Sequence, residues 1–177
     1  MMRWLKILPL LVALGFIIIK GVNYYQTEEK NEAIDLNNAL VNPLDEIVQL
    51  SDSYTNQMIA AMEATADQKR TQIELLNLLP GSMQEKIAEV RTQISLIDFE
   101  DRREQAQPML AAATHVLDVY EAGADSFDAL VARIYAGNMS EQALIDEVNI
   151  YLQNSGAAEN EAIDAFAEAQ AAYLAQE

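Results

Sequence analysis

Residues 108–134 read PMLAAATHVLDVYEAGADSFDALVARI, and the spacing of the apolar side chains in this stretch decides the fold class. Leu110, Ala113, Leu117, Tyr120, Ala124, Phe127, Val131 and Ile134 recur every three or four residues, which is the period of one helix face and not the alternation of a strand. Gly123 interrupts the face at a cost near ~1 kcal/mol relative to alanine. The same spacing appears on both sides of the stretch. Upstream, Leu44, Ile47, Val48, Ser51, Tyr54, Met58, Ala61, Met62, Thr65 and Ile73 trace one stripe, and Met83, Ile87, Val90, Ile94 and Ile97 trace another. Downstream, Leu144, Ile145, Val148, Tyr151 and Leu152 form a short face, followed by Ile163, Phe166, Gln170, Tyr173 and Leu174. Each stripe predicts an amphipathic helix.

Breaks between the stripes are few, because the chain has only 6 Gly and 4 Pro. Asn42–Pro43 reads as an N-cap with proline at the first helical position, where its missing N–H costs nothing. Pro80–Gly81 is the clearest interruption, and Ser82-Met83-Gln84-Glu85 behind it matches a capping box. Gln107–Pro108, Gly137-Asn138-Met139-Ser140 and Asn154-Ser155-Gly156 complete the punctuation. The expected helices are therefore 28–41, 43–78, 83–106, 108–136, 141–153 and 157–175. Merging across Pro43 and across Ser155–Gly156 leaves about four long arms, an elongated up-down-up-down bundle in an all-α protein. The last segment, mostly Ala, Glu and Gln, is too poor in large apolar groups to be stable alone and must fold by packing.

Ahead of the bundle, residues 4–22 read WLKILPLLVALGFIIIKGV, with an unbroken apolar run from Ile7 to Ile19. A run of this length suits either a secretory signal or a short membrane anchor. Cleavage needs small residues one and three positions before the cut, and the residues from Lys20 to Tyr25 offer no such pair. As an anchor, Lys6 and Lys20 reach the two interfaces, while Trp4, Tyr24 and Tyr25 sit where an aromatic belt would. The sequence thus favours an uncleaved transmembrane helix in residues 1–25 and a helical domain in residues 26–177. Arg3 and Lys6 precede the run and Glu28 and Glu29 soon follow it, so the positive-inside rule places the N-terminus in the cytoplasm and the body in the periplasm or outside the cell.

The formal net charge is -17, and 3 of the 11 basic residues lie in the anchor, so the body carries 8 basic against 28 acidic side chains, a balance of -20. That excess argues against nucleic acid, whose binding depends on Lys and Arg. An apolar content of 51% is too high for a disordered acidic tail. The absence of cysteine excludes disulfides, thiolate chemistry and cysteine metal sites.

No catalytic or cofactor constellation stands out. His115, the single histidine, lies roughly 140° around the helix from Leu110 and so faces away from the apolar stripe. Asp118 is one turn on, but no Ser or Cys partner accompanies the pair. A dimetal site built on Glu-x-x-His is ruled out by Ala112. Asp98-Phe99-Glu100-Asp101 lacks the glycine and spacing of a calcium loop, and with Arg102 and Arg103 adjacent it reads as a solvated helix turn. Met58, Met62 and Met83 have the spacing of core residues. Asn138-Met139-Ser140 matches a glycosylation acceptor, and Ser140 as a helix cap explains the same residues.

No catalytic residue, cofactor or metal is therefore expected. The expected function is that of a membrane-tethered, non-enzymatic module for protein–protein association or self-association, an accessory or scaffold part of a cell envelope. The alternative is a ligand-sensing domain, since a span followed by a helical bundle resembles the extracytoplasmic part of chemoreceptors in architecture alone. Phe166 and Tyr173, seven residues apart on one face of the Ala-rich last arm, are the candidate anchors for a partner. Filling the bundle core is the competing role for both rings.

Overall fold

The computed structural model describes residues 28–64, 66–99, 103–136 and 140–175. They form five helices: α1 Glu28–Glu63, α2 Ala66–Leu76, α3 Leu79–Ser95, α4 Arg103–Tyr135 and α5 Glu141–Leu174. Among the described residues there is no strand. The long helices pack antiparallel to one another. Gln84 and Arg91 of α3 meet Asp125 and Asp118 of α4 in reverse order. Gly123 and Arg133 of α4 meet Tyr151 and Glu147 of α5. Asn37 and Ser51 of α1 meet Gln170 and Glu159 of α5. The four arms α1, α3, α4 and α5 thus make an all-α, up-down-up-down bundle, with short α2 packed on α1 and α3 at one end.

α1 runs unbroken through Pro43, and α5 through Ser155–Gly156. Proline inside a helix costs about 3 kcal/mol, but Leu40, Val41, Leu44 and Ile47 around it are all at most 4% exposed. Burying each such side chain contributes about 1.5–3 kcal/mol, enough to carry the helix through the defect. Asn42 is consequently a mid-helix residue, and the expected cap there does not form.

Several boundaries differ from the sequence reading. The expected helix 43–78 is divided by a bend at Ala64. Residues 64–67 contain no large apolar side chain, so a helix continued there would have nothing to bury. The capping box of Ser82 and Glu85 is also absent, because α3 begins earlier, at Leu79, with Leu78 as its N-cap and Pro80 in the first turn. Ser82 lies inside the helix and its hydroxyl donates back to the Leu78 carbonyl at 3.1 Å. The early start places Leu79 and Pro80 in the interior. At its other end α3 stops at Ser95, well short of residue 106, and Asp98 and Phe99 lie outside any helix. Leaving the helix lets Phe99 turn inward to 1% exposure. α4 then begins at Arg103, five residues before the expected break at Pro108. Residues 100–102 of the acidic cluster lie outside the described residues.

Two apolar clusters fill the bundle. The larger occupies the end where α1 starts and α5 finishes, and includes Leu40, Ile47, Ile87, Val90, Met109, Leu117, Phe166 and Tyr173. The smaller, at the opposite end, joins Met58, Ala61, Leu76, Leu79, Phe127, Leu130, Val131 and Val148. Met58 and Met83 are core residues as their spacing predicts, whereas Met62 is only partly buried against the smaller cluster. Ser140 caps α5, accepting a hydrogen bond from the Ala143 N–H at 3.2 Å. No described helix is long and apolar enough to cross a membrane. The expected span at residues 1–25 lies outside the described residues.

Candidate functional site

Between the two apolar clusters the packing changes character. No residue of α1 from Gln49 to Gln57, and none of α5 from Asn149 to Glu161, is fully buried. Partly buried Leu50, Tyr54, Tyr151 and Leu152 of these segments pack against the clusters, and polar groups meet beside them. Glu159 Oε1 accepts a hydrogen bond from Ser155 Oγ, one turn back on α5, at 2.5 Å. Its other oxygen, Oε2, lies 3.4 Å from the hydroxyl of Ser51 on α1. Beside them Tyr151 donates to the Gly123 carbonyl at 3.3 Å, and its ring tilts against Phe127 with centroids 5.5 Å apart. Tyr120 and Tyr54 supply two more phenols to the same layer.

Electrostatics in this layer follow from burial among acids. Burial pushes the Glu159 carboxyl above its ordinary value, the serine hydroxyls oppose the rise, and the Asp52 charge adds to it. Asp52 is itself raised by burial. The phenol of Tyr151 is pushed up to about 12 by burial, with Glu159 contributing. Tyr120 rises further for the same reason, with both Glu159 and Asp52 nearby. Burial favours the uncharged form of every one of these groups.

A cavity of about 20 Å³ adjoins the layer, between Tyr54, Met83, Tyr120 and Glu159. That is room for about one water molecule. A second, wholly apolar hollow of about 10 Å³ lies in the smaller cluster, lined by Met58, Met62, Leu76, Ile134, Leu144 and Val148. At the same end of the bundle several large apolar side chains remain exposed: Ile59, Leu75, Leu78 and Tyr135, with Leu78 at 67%.

The residues singled out from the sequence fall elsewhere. Trp4, Lys6, Lys20, Tyr24 and Tyr25 lie outside the described residues. Phe166 and Tyr173 are 3% and 1% exposed in the larger cluster, so both rings fill the core and neither is presented to a partner. The reason is register: they continue the stripe that begins at Ile163, and that stripe faces α1 and α4. His115 is exposed, as its angle on the helix requires. Asp118 instead bonds Arg91 of α3 at 2.6 Å, in a fork shared with Glu121 at 2.7 Å. Among the described residues, no three His, Cys, Asp or Glu side chains converge as a metal site would require.

Motif and composition do not single out Glu159, although the sequence carries a signal for it. It sits four residues before Ile163, as Ser155 sits four before Glu159, so the α5 stripe passes through both. Buried Gln170, whose amide donates to Asn37 Oδ1 at 3.0 Å, belongs to the same stripe. No protein-family model matches the chain, and neither does any curated protein or solved structure.

Proposed function

We propose that this chain is a membrane-anchored, non-enzymatic module of a cell envelope that mediates protein–protein association, as an accessory or scaffold subunit. The observation that carries this reading is the apolar end of the bundle, where Leu75, Leu78 and Tyr135 are each about half exposed or more, next in the chain or close to Leu76 and Ile134 of the Met-containing hollow. Clusters of exposed apolar side chains are what association surfaces use. α1 is 36 residues long, so at 1.5 Å per residue this end stands about 54 Å from the start of α1. With residues 1–25 in the bilayer, N-terminus in the cytoplasm, the apolar end is held well clear of the membrane in the periplasm or outside the cell.

Charge defines the partner further. The body is strongly acidic, and Lys86, Arg91 and Arg133 are each tied to carboxylates of a neighbouring helix. A partner with a basic rim around an apolar centre suits such a surface. The ligand-sensing alternative has less support, because cavities of about 20 and 10 Å³ are far below the roughly 300 Å³ or more of small-molecule sites.

The test compares the full-length chain with a Leu75→Ser, Leu78→Ser double variant, each cross-linked in native membranes and purified. Both side chains are exposed, so the melting temperature should stay within about 2 °C of wild type. Loss of the cross-linked species in the variant supports the assignment, and an unchanged set of cross-links overturns it. Fractionation of the same preparation tests the anchor: an intact Met1 peptide in the membrane fraction is expected, and a mature N-terminus beyond Val22 refutes the tether.

A further inference from the structure

We propose that the cavity between α1, α3, α4 and α5 is a binding site for one structural water molecule, which accepts a hydrogen bond from the Tyr54 hydroxyl and donates one to the Glu159 carboxyl. Size is the first argument. At about 20 Å³ the cavity exceeds the roughly 10–15 Å³ that a single water needs, and it is far too small for an organic ligand. Every residue lining it is at least partly buried, and Met58, Pro80, Met83, Tyr120, Ala124 and Phe127 are fully so. A molecule held there is largely screened from bulk solvent.

The wall supplies the partners that keep a water in place. Tyr54 of α1 lines the cavity, and its hydroxyl oxygen is shielded from solvent with no hydrogen-bond partner among the described residues. Burial raises the pKa of this phenol and nearby Ser82 of α3 opposes the rise, yet the two hydroxyls are not in hydrogen-bond geometry, and the Ser82 proton goes to the Leu78 carbonyl at 3.1 Å. A buried hydroxyl left without a partner is costly, and a water is small enough to serve as one. Across the cavity, Glu159 of α5 has acceptor capacity to spare. A carboxylate offers about four lone-pair sites, and its protein partners are the Ser155 hydroxyl at 2.5 Å and the Ser51 hydroxyl at a long 3.4 Å. Tyr120 of α4 lines the same space. Polar cavities hold water, whereas apolar ones stay dry, so the wholly apolar hollow of about 10 Å³ in the smaller cluster should hold none. The water adds a polar tie between α1 and α5 beside the long Ser51–Glu159 contact. It lies apart from the association surface and does not depend on it.

The experiment is a crystal structure of the full-length chain in detergent, at a resolution that shows ordered water, beside melting of Tyr54→Phe, Ser82→Ala and the double variant. The map should show one peak within hydrogen-bond distance of both Tyr54 Oη and a Glu159 carboxyl oxygen, and none in the apolar hollow. Melting reads the same bond by its sign. With the water in place, Tyr54→Phe removes one of its partners and should lower the melting temperature by about 2–4 °C, the contribution of one hydrogen bond in a domain of this size. Without it, the substitution relieves a buried unpaired hydroxyl, and the protein should melt unchanged or higher. Ser82→Ala separates the water from a direct bond between the two hydroxyls, because the cost of Tyr54→Phe should then be as large in the Ser82→Ala background as in wild type. The wild-type map needs no variant and so survives a folding failure of any of them. A layer cavity without a peak, a peak that misses either Tyr54 or Glu159, a Tyr54→Phe protein that melts no lower than wild type, or a cost that vanishes with Ser82 overturns the proposal.

Discussion

Replacing Phe166 with alanine tests whether the Ala-rich end of α5 is held by its large side chains. The ring is 3% exposed within the larger cluster. Truncating a buried phenylalanine costs about 3–5 kcal/mol through lost transfer energy and the cavity left behind. For a domain of this size each kcal/mol lowers the melting temperature by about 2–4 °C, so a fall of roughly 6–20 °C is expected. Tyr173, at 1% exposure, should behave alike. The two positions are seven residues apart, about 10 Å along the helix, far enough for their effects to nearly add. Their combined loss of about 6–10 kcal/mol rivals the whole stability of an ordinary domain, about 5–15 kcal/mol. Circular dichroism of the full-length chain in detergent should therefore show the double variant melting near or below room temperature. A Phe166→Ala protein melting within about 2 °C of wild type would refute the core assignment and return this face to the surface.

Asn37→Ala should cost about 1–3 kcal/mol in chemical denaturation, since it strands the buried Gln170 amide, while Asn37→Leu with Gln170→Met should recover most of that loss. Gly123→Ala should raise stability by up to about 1 kcal/mol, because an added Cβ meets only ordinary contacts, 3.7 Å from Ser155 Oγ and 3.8 Å from Glu159 Oε1. A lower melting temperature for that variant would show the layer to be tighter than these distances imply. Ser140→Ala removes the α5 cap and should cost about 1 kcal/mol, read as a shifted denaturant midpoint with unchanged slope.

Features set by neighbours along the chain are legible in the sequence itself. Leu44, Ile47, Val48, Met58 and Ala61 of α1, and the α4 stripe from Ala113 to Val131, are buried where their period puts them, because a 3.6-residue turn gathers such positions on one face whatever lies opposite. Ser140 caps its helix for an equally local reason: its hydroxyl meets a backbone N–H three residues on. Continuous helices cross Pro43 and Ser155–Gly156, as the merged arms require.

Other features depend on what packs across the gap, and only the tertiary structure decided them. Ser82 and Glu85 carry the pattern of a cap, yet the interior available to Leu79 and Pro80 moved the helix start ahead of them. Phe99 sits in an acidic run that reads as solvated, but its ring is taken into the larger cluster, outside any helix. Phe166 and Tyr173 have identical spacing whether they serve a core or a partner, and the position of α1 and α4 chose the core. Glu159 and Gln170 occupy stripe positions that periodicity marks as inward, but periodicity carries no information on what meets them. The sequence determined that α5 turns this face inward; the antiparallel register of α5 on α1, which sets Ser51 against Glu159 and Asn37 against Gln170, made those polar residues tenable there.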